Sequence, residues 1–148
     1  NSYAVAKDSL RRFLQELQRH ESFTLQWARL FYMYGAGQAG GSILAQLEEA
    51  IAKGATVFEM TDGEQLRDYL PVEEVARRLA LLNATPSVEG MVNVCSESPV
   101  SIRELVGDHA KRLGSGIRLG LGLKPRRNYE PAAFWGASRV FDRNGELI

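Results

Sequence analysis

The segment Ser2-Tyr3-Ala4-Val5-Ala6-Lys7 opens the first helix that the sequence predicts, and the fold prediction starts from it. Apolar residues recur at three- and four-residue steps, which is typical of an amphipathic helix over residues 3–20. They are Ala6, Leu10, Phe13, Leu14 and Leu17. Side chains four residues apart lie on one helical face, so we expect the Tyr3 phenol and the Lys7 ammonium to share a site.

The pairing of Tyr3 with Lys7 has a use in acid–base chemistry. A free tyrosine has a pKa of about 10 and exchanges protons poorly at neutral pH. A fixed cation nearby favours the phenolate and lowers that pKa, so that the tyrosine can trade a proton with a substrate hydroxyl or carbonyl. The spacing alone is weak support, because many helices carry a Tyr and a Lys four residues apart without catalysis.

The composition indicates an ordinary globular domain. The chain has 148 residues, of which 45% are hydrophobic, and 18 basic residues balance 18 acidic ones. This neutrality argues against general nucleic-acid or membrane-surface binding. A single cysteine, Cys95, permits no internal disulfide, and His20 and His109 lack ligand-like spacing, so we predict no metal and a cytoplasmic location. The start at Asn1, without a methionine, suggests the carboxyl-terminal half of a longer protein.

Helices and short strands alternate along the chain, which predicts an α/β fold. Ser42 and Ser101 are expected N-caps, Glu104 completes a capping box, and Gly54 ends the second helix. The expected helices are 3–20, 42–53, 71–83 and 101–113, with a helical turn in the last dozen residues. The expected strands are 23–34, 56–60, 66–71, 91–95 and 117–121. A basic, aromatic loop is expected from residue 124.

The loop Gly35-Ala36-Gly37-Gln38-Ala39-Gly40 matches the G-x-G-x-x-G pattern of a dinucleotide site. It follows a predicted strand and precedes a predicted helix, and Glu59 stands about twenty residues further on, at the end of the next strand. One hypothesis is therefore a small Rossmann domain that binds NAD through the stretch from Gly35 to Gly40.

Five stretches, in chain order, are similar to segments of one enzyme family. They are SYAVAKD at 2–8, RLFYMYGAGQ at 29–38, GEQLRDYLPVEEVA at 63–76, NVCSESPVSIRELV at 93–106 and RRNYEPAAFWG at 126–136. The family is the extended short-chain dehydrogenase/reductases, specifically the NAD-dependent epimerases and dehydratases that act on nucleotide sugars. The chain departs from the usual pattern at Tyr32, where asparagine is common, and at Ala36, where proline is common.

The resemblance implies a catalytic and cofactor-binding set near the start of the chain. Tyr3 would be the acid/base at the sugar, and Lys7 would lower its pKa and contact the nicotinamide ribose. Phe31 and Tyr32 would lie beside the same cofactor, NAD or NADP. In the family this chemistry transfers hydride to and from a nucleotide sugar.

The resemblance also implies a nucleotide-sugar site. Arg67 and Arg127 would bind the pyrophosphate, since a guanidinium can contact phosphate oxygens in bidentate fashion, and Tyr32 and Phe134 would line the pocket. Without the resemblance, Arg67 would as readily pair with Asp68 or a glutamate. The basic residues and aromatic rings after residue 124 would also suit single-stranded RNA.

The resemblance implies a Rossmann-type fold in which residues 1–35 carry the catalytic helix and the last part of the core. Residues 36–148 would then bind substrate, and the amino-terminal cofactor-binding half would be absent. The predicted function is an NAD(P)-dependent nucleotide-sugar epimerase or 4-ketoreductase. A non-catalytic nucleotide-sugar-binding remnant is the alternative. A homodimer through the first helix is compatible with its pattern.

Overall fold

The computed structural model describes residues 1–126, 130–142 and 144–148, and helices alternate with short strands along them. The helices are α1 (Ser2–Leu17), α2 (Ile43–Ala52), α3 (Val72–Asn83) and α4 (Ile102–Arg112). The strands are β1 (Gln26–Leu30), β2 (Tyr32–Tyr34), β3 (Val57–Glu59), β4 (Leu66–Arg67), β5 (Tyr69–Pro71), β6 (Gly90–Val94), β7 (Val100–Ser101), β8 (Arg118–Gly120) and β9 (Ala133–Phe134).

The strands pair mostly in parallel, with helices in the connections. β1 pairs with β6, β2 with β5 and β3 with β8, all in parallel. β4 lies between β7, to which it is antiparallel, and β9, to which it is parallel. Parallel strands need long crossover connections, usually helical, and this arrangement confirms the predicted α/β class.

Two apolar clusters form the core. The first joins α2, α4 and β3, and its buried members are Leu44, Leu47, Phe58, Met60, Leu105, Val106 and Ala110. The second joins α3 to β5 and β6, and its buried members are Leu70, Val75, Leu82, Val92, Val94 and Phe141. The two clusters fix the helices on either side of the short strands from β2 to β5, which carry the candidate site.

Two segments predicted as single strands are each two strands. The chain changes partner at Phe31, whose N–H donates to Val94 O at 3.3 Å, while the Tyr32 N–H donates to Asp68 O at 3.2 Å. The corresponding break in the second segment is at Asp68, between β4 and β5. Strand periodicity does not show such a break, because both halves keep an extended backbone.

Helix α1 ends three residues earlier than predicted, and its apolar stripe lies largely at the surface. No residue within Ser2–Leu17 is buried, and the exposed fraction is 63% for Phe13. Gln18 joins the end of the helix to the next segment by donating to Phe23 O at 3.0 Å. The amphipathic pattern is confirmed in α1, but its apolar face contacts little of the described chain.

The caps agree with the sequence. Ser101 and Glu104 form the reciprocal capping box at the start of α4, and Ser42 accepts from Ala45 N–H at the start of α2. The helical turn predicted for the last dozen residues is wrong for the residues described there. An antiparallel β-bridge pairs Phe141 with Leu147. The Asp142 carboxylate between them accepts hydrogen bonds from the backbone N–H groups of Asn144 and Glu146. None of the described helices is long and apolar enough to cross a bilayer.

Candidate functional site

A cleft of about 620 Å³ opens beside β2, β4 and β5. Arg67 belongs to its lining; it is 6% exposed, and its guanidinium carbon lies 6.0 Å from the centre of the Tyr32 ring. Tyr69 lies beside Tyr32, with ring centres 5.3 Å apart. The cleft continues toward α2 and α4, where its lining is Gln38, Ser42, Ile43, Leu44, Thr61, Gln65 and Ile102.

Local backbone pairing sets the position of Arg67. Its Nη1 donates to Leu66 O at 2.8 Å and its Nη2 donates to Pro131 O at 2.9 Å. No carboxylate of the described residues forms an ion pair with it, so the alternative pairing with Asp68 or a glutamate is not found there. Arg67 is thus a buried cation whose observed partners are neutral carbonyl groups.

Burial of the ring raises the pKa of the Tyr69 phenol above its usual range, and neighbouring Tyr32 adds to this effect. Tyr69 is therefore a neutral hydrogen-bonding phenol and aromatic wall at ordinary pH. Tyr34 contacts its ring edge, with centres 6.4 Å apart. Three tyrosines consequently line one side of the cleft, and alternation along β2 places Tyr32 and Tyr34 there together.

Residues 131–136, which we call the crossing segment, separate this cleft from a smaller one of about 400 Å³. Pro131 lines the larger cleft, while Phe31 and Phe134 line the smaller one. The Phe31 and Phe134 rings stack with centres 5.3 Å apart, and Phe134 meets the Tyr32 ring edge-on at 6.3 Å. The structure therefore brings four predicted site residues close together. Tyr32 and Arg67 line the larger cleft, and Phe31 and Phe134 line the smaller one.

Tyr3 and Lys7 lie on the first two turns of α1, away from that cluster in sequence. The Tyr3 side chain is 71% exposed. Lys7 Nζ lies 5.5 Å from the centre of the Trp27 ring on β1, a cation–π contact that the sequence analysis did not anticipate. Since Phe31 immediately follows β1, this contact orients α1 against the strand that leads to the aromatic cluster.

The glycine loop does not form the dinucleotide unit suggested by its pattern. In that unit the strands on either side of the helix lie together in one parallel sheet and the helix begins at the glycines. Here β2 pairs with β5, β3 pairs with β8, and α2 begins after the Ser42 cap. Gly35 instead lets the backbone approach α3, because a Cβ there would lie 2.6 Å from Val72 Cγ1. Because β2 and β3 belong to different sheets, the small Rossmann interpretation is wrong for this loop.

Cys95 is 1% exposed, which fits a structural role in the core. Burial, with added repulsion from Asp68 and Glu97, raises the pKa of its thiol to about 11, so it is a poor nucleophile. Arg127 lies outside the described residues.

Sequence reasoning missed two further residues. Gln65 is 3% exposed and lines the larger cleft; its Oε1 lies 3.5 Å from Thr61 Oγ1, and no described residue accepts from its Nε2. Asp68 is fully buried and accepts three backbone N–H bonds. Gln65 lies two positions before Arg67, just ahead of β4, and residues two positions apart in an extended chain share a face, which is the signal that could have indicated it.

Comparison with known proteins gives the family. The model described as "NAD dependent epimerase/dehydratase family" matches residues 1–95. The curated dTDP-6-deoxy-L-talose 4-dehydrogenase (NAD(+)) of Aggregatibacter actinomycetemcomitans is 25% identical over 138 residues, which cover 93% of this chain and 51% of that protein. The chain therefore spans about half the length of the curated relative it matches.

Solved structures show the same fold. UDP-N-acetylglucosamine 4-epimerase from Methanobrevibacter ruminantium M1 is similar with a TM-score of 0.79 and 24% identity, over 93% of this chain and 44% of that one. RMD from Pseudomonas aeruginosa, complexed with NADPH, is similar with a TM-score of 0.77 and 23% identity, over 93% of this chain and 47% of that one. The resemblance inferred from the five stretches is confirmed: this chain belongs to the NAD dependent epimerase/dehydratase family.

Proposed function

We propose that the whole protein is an NAD(P)-dependent nucleotide-sugar 4-epimerase or 4-ketoreductase, and that this chain supplies the catalytic helix and most of the substrate cleft. The observation that carries the proposal is Arg67, a cation only 6% exposed that lines a cleft of about 620 Å³. That volume falls within the usual range for small-molecule sites.

The surroundings of Arg67 favour a diphosphate as its counterion. Burying a charge without a partner of opposite sign is costly, and two carbonyl groups compensate the cost only in part. A pyrophosphate would provide anionic oxygens in a geometry that a guanidinium can contact in bidentate fashion. Tyr32 and Tyr69 beside it offer phenols to the same phosphates or to the sugar.

Another part of the cleft lining suits a nucleoside. Ile43, Leu44 and Ile102 give it an apolar lining, and Thr61 and Gln65 add polar groups. An apolar pocket with a few fixed polar groups is what a heterocyclic base and a ribose require. Binding in this direction would put the sugar beyond Arg67, on the side of Tyr32 and the crossing segment.

Tyr3 and Lys7 carry the proposed chemistry. The described residues suit the reacting end of a nicotinamide cofactor, because an exposed phenol and an ammonium one turn away can contact ribose hydroxyls and the substrate oxygen. They do not suit the cofactor's pyrophosphate, since the Gly35 loop is not a dinucleotide turn. When bound, NAD or NADP supplies hydride transfer.

In this proposal Tyr3 holds or releases the proton at the sugar C4 oxygen. Lys7 lies on the same helical face, where its ammonium can contact the ribose hydroxyls of the cofactor. The Lys7 ammonium is itself oriented by the face of Trp27.

The test is Tyr3→Phe in the full-length protein, with Val5→Ala, an exposed substitution on the same helix outside the proposed site, as the control. We expect Tyr3→Phe to abolish turnover of UDP- and dTDP-sugars while cofactor binding persists. Turnover is followed as the nicotinamide absorbance change for a 4-ketoreductase and as conversion to the C4 epimer for a 4-epimerase, which returns the hydride to the sugar. The control should retain turnover. Turnover by Tyr3→Phe equal to wild type would refute the catalytic role. Sugar-nucleotide binding by wild type with neither an absorbance change nor an epimerised product would favour the non-catalytic alternative.

We also propose that the protein is a homodimer through α1. Exposed Phe13 and Leu10, at 63% and 46%, support an interface there. Sedimentation of the full-length protein checks this, with Phe13→Glu expected to shift a dimer toward monomer. A wild-type monomer at micromolar concentration would contradict it.

A further inference from the structure

The carboxylate of Asp68 binds the backbone of two separate loops. Asp68 is 0% exposed. Its Oδ1 accepts from Ser96 N–H at 2.6 Å, and its Oδ2 accepts from Glu97 N–H at 3.1 Å and from Gly136 N–H at 3.2 Å. Ser96 and Glu97 follow β6, whereas Gly136 ends the crossing segment. An ionised carboxylate only accepts hydrogen bonds, so it matches three converging donors without a mismatch.

Arg67, the residue before Asp68, holds the opposite end of the crossing segment. Its Nη2 donates to Pro131 O at 2.9 Å. Between these ends β9 pairs with β4, and Leu66 N–H donates to Ala132 O at 3.0 Å. Two consecutive residues with opposite charges thus fasten both ends of one six-residue segment.

The position of this segment determines the aromatic wall between the two clefts. Phe134 stacks on Phe31 and touches the edge of Tyr32, the ring that faces Arg67. The Gly136 end has little freedom to shift, because a Cβ there would lie 2.7 Å from Cys95 Sγ and 2.7 Å from Phe31 Cζ. Releasing the Gly136 N–H from Asp68 would therefore loosen the support behind Tyr32.

We propose that Asp68 is a positioning residue for substrate: it holds the crossing segment so that Phe134 keeps Tyr32 and Arg67 in the geometry that binds the nucleotide sugar. The inference rests on the proposed function of this cleft. Asp68 does not touch the substrate in this account, and it takes no part in proton or hydride transfer. It acts on affinity through the backbone of residues 131–136.

Asp68→Asn tests the idea with a side chain of the same shape. One carboxylate oxygen becomes an NH2 group, which meets a backbone N–H donor where an acceptor is needed. Loss of a charge-assisted hydrogen bond and the resulting mismatch are expected to raise KM for the nucleotide sugar about tenfold. Turnover at saturation should stay within about threefold, and cofactor affinity within about twofold, since hydrogen bonds lost here do not touch the reacting atoms.

The matched control is Arg78→Lys. Arg78 is 2% exposed and its Nη1 donates to Cys95 O at 2.7 Å, so it supports the same end of β6 without a hydrogen bond to residues 131–136. Both variants are made in the full-length protein. Amide hydrogen exchange of peptides covering 131–136 is measured together with the kinetics, because exchange reports the segment directly.

Faster exchange in residues 131–136 together with a raised KM in Asp68→Asn, and neither change in Arg78→Lys, supports the inference. Unchanged exchange in 131–136, or faster exchange with an unchanged KM, overturns it. An equal rise of KM in both variants also overturns it, since a general loss of stability would then explain the effect. If the wild-type protein binds no nucleotide sugar, the proposed function fails and the inference fails with it; wild-type binding that Asp68→Asn retains in full refutes the inference alone.

Discussion

Replacing Gly136 with Ala tests how tightly the crossing segment packs against the end of β6. The new Cβ would lie 2.7 Å from Cys95 Cβ, 2.7 Å from Cys95 Sγ and 2.7 Å from Phe31 Cζ. Real Cβ atoms do not approach other heavy atoms this closely, so either the crossing segment or its neighbours must move. The backbone at Gly136 does not have a positive φ, so the clash in space is the cause of the effect.

The magnitude follows from two opposed effects. Overpacking a well-packed site costs about 1–3 kcal/mol. Gly→Ala also lowers the conformational entropy of the unfolded chain, which stabilises the folded state by about 0.4–1 kcal/mol. We therefore expect a net loss of about 1–2 kcal/mol, which is about 5- to 30-fold in the equilibrium for local opening.

The thiol of Cys95, which the new methyl group would contact too closely, provides the assay. Cys95 is the one cysteine of the sequence, it is 1% exposed, and burial raises the pKa of its thiol to about 11. A thiol reagent reacts with the thiolate, so labelling proceeds through molecules in which this site has opened. Mass spectrometry of the peptide that contains Cys95 gives its labelling rate in the full-length protein.

We expect Gly136→Ala to speed labelling of Cys95 by about 5- to 30-fold at fixed pH, in line with the opening equilibrium. The control is Gly116→Ala, where an added Cβ would meet no atom of the described residues within 4 Å and the backbone has no positive φ. That variant should label at the wild-type rate. A Gly136→Ala rate equal to or slower than wild type would show that the segment yields without cost, and would refute the packing argument.

Two further predictions concern α3 and the nucleoside end of the cleft. Hydrogen bonds from Arg77 first, and then Arg78, hold the pKa of the Glu74 carboxyl at about 2, below its usual 4.5. Because the folded-state pKa is depressed, this stabilisation is present above about pH 4.5 and is lost as pH falls toward 2. Glu74→Gln should thus lower the free energy of unfolding by about 1–2 kcal/mol at pH 7, after allowance for solvent screening. In thermal unfolding, the difference in stability from wild type should vanish near pH 2. A stability difference that does not depend on pH would contradict this prediction. For Gln65→Leu, loss of the amide from the cleft should weaken nucleotide binding about tenfold by calorimetry on the full-length protein, whereas unchanged affinity would exclude a contact.

Local features of the structure agree with the sequence because they depend on neighbouring residues. The capping box of Ser101 and Glu104, the Ser42 cap and the turn at Gly54 involve atoms within a few positions, and the structure contains all of them. Strand breaks at Phe31 and Asp68 were missed because they arise from a change of partner strand. The Gly35 loop matched a motif, yet its glycine serves the close approach of Val72, a contact that a motif cannot show.

The sequence by itself determined the α/β class, the family resemblance and the placement of Tyr3 and Lys7 on one helical face. The class and the helical placement follow from periodicity and from residues close together in the chain, where the backbone geometry is known in advance. The resemblance follows from the five stretches similar to segments of the family. Only the tertiary structure decided that Arg67 is buried against Pro131 O, that Asp68 binds three N–H groups, and that the crossing segment separates two clefts. These contacts join distant parts of the chain, and their geometry depends on how the two apolar clusters pack the helices against the strands.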